Sequence, residues 1–199
     1  YVLPKAGKLE IRNELTSFAF PRDYPCWTLN LGRFGTSHEG EYDAIAASKL
    51  RPHNLLELPL VCQTDAQGTT LAIGEANLRD YAGLYLTGRA DGGLGVSAKL
   101  SPRLDQPALA VSIDAQGRDF ATPWRVIMLG DTPASLIDSN LITLLNPPPA
   151  FDASWVRPGK SAWDWWSGSL ASGVAQPGMN TATIQRYIDH AHQLKLEYM

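Results

Sequence analysis

Residues able to do chemistry concentrate in two short passages of this chain. SAWDWW ends in Asp164, Trp165 and Trp166, a carboxylate beside flat amphipathic rings of the kind on which sugar rings stack. Strand alternation would turn Trp165 and Trp166 to opposite faces, so one ring is expected as a stacking platform and the other as packing. LAIGEANLRDY carries Glu75 next to Gly74 near the end of an apolar run, where a carboxylate can reach a metal ion or a neighbouring domain. Judged by its residues alone, such a glutamate is more often simply solvated. Arg79 and Asp80 follow and are expected to pair with each other.

Other titratable groups point to less. His38, Glu39, Glu41 and Asp43 in SHEGEYD match neither a zinc motif nor an EF-hand loop, and a polar run holding Gly40 reads as a solvated loop. His190 and His192 stand two apart on a predicted helix, so they face different directions and cannot share a metal in the i, i+4 manner. No nucleophile elbow, P-loop, dinucleotide fingerprint or zinc-protease motif is present.

Charged residues are 19% of the chain and the net charge is −3, with no dense basic cluster, which argues against nucleic acid as a partner. Apolar stretches are broken by Pro, Asp or Arg before the ~20 residues that a membrane helix needs, so the chain reads as soluble. Cys26 and Cys62 lie outside any C-x-x-C spacing and are either a disulfide or two thiols. A domain of this size does not require a staple, which favours buried thiols. The chain opens on YVLP without Met or an apolar leader and stops in the apolar run LEYM, so both ends are expected to be cuts in a longer protein.

The elements that must position these residues change type along the chain. KLEIR, TSFAF, CWTLNL, LLELPLVCQ, TTLAIGEA, GLYLTG, GVSAKL, ALAVSID, WRVIML and LITLL read as short strands, with TDAQGT and DAQGRDFATP as hairpin loops. Many short strands at such spacing predict an antiparallel β-sandwich over residues 1–147. Within it, Thr132 as cap and Pro133 at the first helical position predict one or two helical turns. A proline-rich linker, residues 148–160, can neither join a ladder nor continue a helix.

Residues 161–199 follow a different pattern. SAWDWW reads as a strand, SGSLASGVAQPGMN as a glycine-rich loop, and LEYM as a second strand. Between loop and second strand, Ile184, Tyr187, Ile188, Ala191 and Leu194 form the stripe of an amphipathic helix capped by Asn180. Strand, helix, strand is the opening β-α-β unit of a parallel sheet, here the truncated start of a (β/α)8 barrel. In such a barrel the site forms at the carboxyl ends of the strands, which places Asp164, Trp165, Trp166 and Ser167 at its mouth as substrate contacts.

The passages IGEANLRDYAGLYL, TPWRVIMLGD, LITLLNPP and FDASWVRPGKSAWDWW, with the helix NTATIQRYIDHAHQLKLEYM, resemble glycoside hydrolase family 97. DASWV-P-K…WW is the most specific of them. The resemblance implies an N-terminal β-sandwich, a (β/α)8 catalytic barrel and a small C-terminal β domain, of which the chain holds the later sandwich and the first barrel unit. It implies a Ca2+-dependent exo-acting α-glycosidase, foremost an α-glucosidase, that trims oligosaccharides from the non-reducing end, in the bacterial periplasm or secreted. Glu75 matches the sandwich residue that reaches the metal. The catalytic carboxylate pair that glycoside hydrolysis requires is expected beyond Met199, so the fragment is expected to be inactive and prone to self-association. A non-catalytic carbohydrate-binding sandwich is the alternative.

Overall fold

The computed structural model describes residues 1–165 and 168–199. The chain divides into two compact units, Tyr1–Pro147 and Pro148–Met199.

The first unit holds ten strands: β1 Val2–Ile11, β2 Ser17–Ala19, β3 Pro25–Thr28, β4 Asp43–Ala46, β5 Leu60–Gln63, β6 Thr70–Ala76, β7 Leu84–Gly88, β8 Gly95–Leu100, β9 Val111–Ala121 and β10 Trp124–Gly130. They form antiparallel sheets of five strands (β10-β6-β5-β3-β4), three strands (β2-β8-β7) and two strands (β1-β9). Alternation explains the core. Cys26, Leu60, Cys62, Leu71 and Ile73 from the five-stranded sheet meet Leu84, Leu86, Val96 and Ala98 from the three-stranded one, each at most 8% exposed. At about 25 cal/mol per Å² of apolar surface removed from water, this interlayer supplies the main driving force for the sandwich.

β2 can lie against β8 only because Gly95 lacks a side chain: its backbone has φ +113°, and a Cβ there would stand 2.0 Å from the Phe18 carbonyl oxygen.

Cys26 and Cys62 oppose each other across β3 and β5 and are joined as a disulfide, both fully buried. This corrects the expectation of thiols. The pairing register sets the two Cα atoms 4.0 Å apart, and chain size says nothing about such register.

Three further expectations are corrected. DAQGRDFATP is not a hairpin loop: Asp114 to Ala121 continue β9, paired along β1. The turn-forming residues make a bulge instead, with Gln116 at φ 53° and Gly117 at φ 76° where the register to β1 shifts. LITLL is helical rather than extended, α2 Leu141–Leu144, because the prolines after Asn146 bar a ladder and Ile142 packs on β6 at Gly74. Asp43, read above as part of the solvated loop SHEGEYD, instead opens β4 Asp43–Ala46. Before α2 comes α1 Pro133–Ile137, where Thr132 caps and exchanges side-chain to backbone bonds with Ser135.

The second unit is built around α3 Thr181–Gln193, whose cap Asn180 accepts from the Thr183 amide at 3.0 Å. Thr183 and Ala191 are its buried positions, and Tyr187 bonds the Leu170 carbonyl. SAWDWW and LEYM do not form strands among the described residues. They meet at one parallel bridge, Ser161 to Tyr198, through the bonds Ala162 N–H to Tyr198 O, 3.0 Å, and Tyr198 N–H to Lys160 O, 3.1 Å. An apolar run becomes a strand by finding ladder partners on its flanks, and a single bridge does not supply them.

Candidate functional site

Glu75 sits on β6 directly opposite Arg125 on β10. On β6, Leu71 and Ile73 belong to the interlayer core, and Glu75 ends their row where the apolar layer runs out. Its Oε2 accepts from Arg125 Nη1 at 2.7 Å and its Oε1 from the Leu84 amide at 3.1 Å. The side chain keeps 16% of its surface exposed.

Arg125 is shared. Glu14, in the link between β1 and β2, takes the other two arms of the guanidinium, Nε to Oε1 at 2.8 Å and Nη2 to Oε2 at 2.6 Å. Both partners of this fork are nearly buried, at 9% and 4% side-chain exposure. Tyr81 closes the group, with its ring 5.7 Å from the guanidinium carbon and its hydroxyl 3.4 Å from Glu14 Oε2.

The charges set one another. Burial pushes the Glu14 carboxyl up, but bonds from Arg125 and Thr16 and the charge of Arg125 outweigh it and leave it below its ordinary value. Burial likewise works against the Arg125 cation and is overcome by its bonds and attraction to the two glutamates, so its pKa is raised. The Tyr81 phenol is pushed up to about 12, by burial first and by the charge of Glu14 second. The cluster sets two carboxyl groups on one guanidinium, one formal negative charge in excess.

That residual charge lies where a cation can reach it. A carboxylate oxygen accepts in two directions, and among the described residues each Glu75 oxygen has one bond, which leaves each a second direction for a ligand. Calcium takes about six to eight oxygen ligands, so Glu75 could supply only one part of such a shell. Among the described residues no group of three or more His, Cys, Asp or Glu stands ready to hold a metal on its own.

The other sequence candidates are placed as follows. Asp164 and Trp165 belong to the second unit, where Asp164 is part-exposed and Trp165 is 53% exposed. Trp166 and Ser167 lie outside the described residues. Arg79 and Asp80 do not pair, which corrects the reading above: Asp80, with left-handed backbone at φ 49°, instead borders a cavity with Asp114, Arg118 and Asp119. His38, read as part of a solvated loop, bonds Glu57 at 2.8 Å. Sequence reasoning missed Glu14 and Arg125 as site residues. Arg125 carried a signal, since a charged residue inside the apolar run WRVIML must find a partner; Glu14, in RNELTS, carried none.

The family model for the glycosyl-hydrolase 97 N-terminal domain matches residues 1–148. The chain belongs to glycoside hydrolase family 97. It is 32% identical over 228 aligned residues to a retaining α-galactosidase of Bacteroides thetaiotaomicron, covering 100% of this chain and 34% of that protein. A probable retaining α-galactosidase of Streptomyces bingchenggensis is 26% identical over 201 residues, covering 100% of this chain and 28% of that protein. Among solved structures, a family 97 enzyme of Pseudoalteromonas sp. strain K8 in complex with acarbose superposes with TM-score 0.77 at 29% identity, over 98% of this chain and 29% of that one. The same figures hold for a variant of that enzyme in complex with panose. The chain thus spans about a third of the length of the proteins it matches.

Proposed function

We propose that this chain is the sandwich and the opening barrel segment of a calcium-dependent, exo-acting α-glycosidase that trims oligosaccharides from the non-reducing end. The observation that carries the reading is Glu75, fixed at a strand end by Arg125 and the Leu84 amide with lone pairs to spare. A calcium ion held there would supply a fixed positive charge beside the substrate. Glu75 would be its sandwich ligand, with Arg125 and Glu14 fixing that ligand's direction. Asp164, Trp165 and Trp166 are proposed as substrate contacts, a carboxylate for hydroxyls and a ring for stacking.

Substrate choice divides into two readings. The curated relatives named above are retaining α-galactosidases, which supports an α-galactoside and a carboxylate nucleophile about 5–5.5 Å from the acid. The α-glucosidase reading is supported by the acarbose and panose complexes of the Pseudoalteromonas enzyme. Assay of the full-length gene product on p-nitrophenyl α-galactoside and α-glucoside decides between them; turnover of neither removes the glycosidase reading.

A periplasmic or secreted location draws support from the Cys26–Cys62 disulfide, since such bonds persist in oxidising compartments. The described residues include no helix long and apolar enough to cross a membrane. Self-association of the isolated chain draws support from the edge strand β10, where Ile127 and Leu129 are 53% and 72% exposed.

A further inference from the structure

A second cluster of chemically capable side chains lies on the outer face of the three-stranded sheet. Leu56 exchanges both backbone bonds with Leu86 of β7, N–H to O at 2.8 Å and 2.9 Å, so its segment extends that sheet. Leu56 and Leu86 are fully buried in the sandwich. Alternation therefore turns their neighbours Glu57 and Tyr85 together to the opposite face, where Lys99, the direct partner of Tyr85 on β8, also lies.

The loop between β3 and β4 brings His38 onto this face. Its Nδ1 is 2.8 Å from Glu57 Oε1, and its ring centre is 6.2 Å from that of Tyr85. Phe34 meets Tyr85 edge to face at 5.0 Å. His38 is held at φ 59°, and the loop braces this left-handed backbone with the Thr36 hydroxyl on the His38 amide, 3.2 Å. A side-chain-bearing residue kept in that region costs energy, and such residues gather where a side chain must point in one direction.

Three polar ends remain without a hydrogen-bond partner among the described residues: His38 Nε2, Glu57 Oε2 and the Tyr85 hydroxyl. His38 and Glu57 keep 34% and 26% of their side chains exposed. A fixed donor or acceptor, a carboxylate oxygen, a phenol and half-buried rings match a pyranose, which presents paired hydroxyls on its rim and C–H groups on its face. Glu57 and Lys99 flank Tyr85 from the two neighbouring strands with one charge of each sign, which suits a neutral sugar. Burial first, then the charges of Glu57 and Glu75, holds the Tyr85 phenol above its ordinary pKa.

We propose that His38, Glu57 and Tyr85 form a saccharide subsite on the sandwich that binds a further, neutral pyranose unit of the oligosaccharide substrate. This rests on the α-glycosidase reading.

The test uses the full-length protein with H38Q, E57Q and Y85F, assayed on the p-nitrophenyl α-monoglycoside it hydrolyses and on raffinose and maltotriose. The expected result is a rise of about tenfold in the ratio of trisaccharide KM to aryl-glycoside KM, the loss of one or two sugar hydrogen bonds, with the melting temperature of Y85F held. A purely structural latch would lower the melting temperature and leave the ratio unmoved; an unmoved ratio in all three variants overturns the proposal. If the wild-type protein hydrolyses neither aryl glycoside, the glycosidase reading has failed and calorimetric titration with the two trisaccharides judges the subsite separately. Heat of binding lost in E57Q then supports it, and no heat with the wild type overturns it.

Discussion

Arg125 bonds Glu75 across the β6–β10 pair at 2.7 Å, and this single contact ties the most polar part of the sandwich to its best-placed ligand group. The guanidinium is not free to move with Glu75, because Glu14 holds its remaining two arms. A forked, nearly buried pair of this kind costs desolvation to form and costs more to break, since the surviving partner stays buried with its charge.

Replacement of Arg125 by Met leaves Glu14 in that state. The expected loss is about 3–5 kcal/mol of stability, read from urea unfolding, with Arg125→Lys intermediate because an ammonium cannot fork. A loss below about 1 kcal/mol in the Met variant contradicts the account of the cluster.

The titration of Glu14 gives a pH dependence with a definite sign. Its folded pKa is lowered from 4.5, so its stabilising contribution is complete above that value and is lost as pH falls through the folded pKa. Melting temperatures followed downward from neutral pH should therefore drop through the acid range, and Glu14→Gln should melt lower at neutral pH but lose less on acidification. Tyr81 acts at the other end. Its pKa rises from 10 to about 12 on folding, so the stability it confers is full below 10 and is lost as pH climbs toward 12. Ultraviolet titration should show a late phenol near 12 that is missing in Tyr81→Phe.

The cross-strand disulfide makes a third prediction. Cys26 and Cys62 are 36 residues apart and fully buried, so cleavage requires opening of the sandwich and removal costs about 2–4 kcal/mol. Denaturant midpoints of the Cys26→Ala, Cys62→Ala double variant, against the oxidised wild type, measure this. Equal midpoints would show that the bond contributes nothing.

Period and composition were enough to reveal the sandwich, most of its strands and the cap of α3 by Asn180, because these depend on neighbours in sequence. What escaped depends on distant partners. Gln116 and Gly117 read as a turn, yet β1, more than a hundred residues earlier, takes that segment into a ladder and makes the pair a bulge. Cys26 and Cys62 could be judged bonded only from the β3–β5 register. Glu75 was visible through its setting in IGEANLRDY, whereas Glu14 sits in a link with no periodicity and acquires its role only because the fold carries it 111 positions along the sequence to Arg125. The run SAWDWW shows the reverse case: it is apolar enough for a strand, and the described residues give it one bridge.

The central claim is that Glu75 supplies one oxygen ligand to a calcium ion in an α-glycosidase. It is tested most directly by following hydrolysis of p-nitrophenyl α-galactoside and α-glucoside by the full-length protein during chelation and calcium return, beside isothermal titration of the chelated protein with calcium. The account predicts that wild-type activity falls on chelation and recovers with calcium, and that Glu75→Gln weakens calcium binding at least tenfold. Activity indifferent to chelator, or a Glu75→Gln protein that binds calcium as the wild type does, would contradict it.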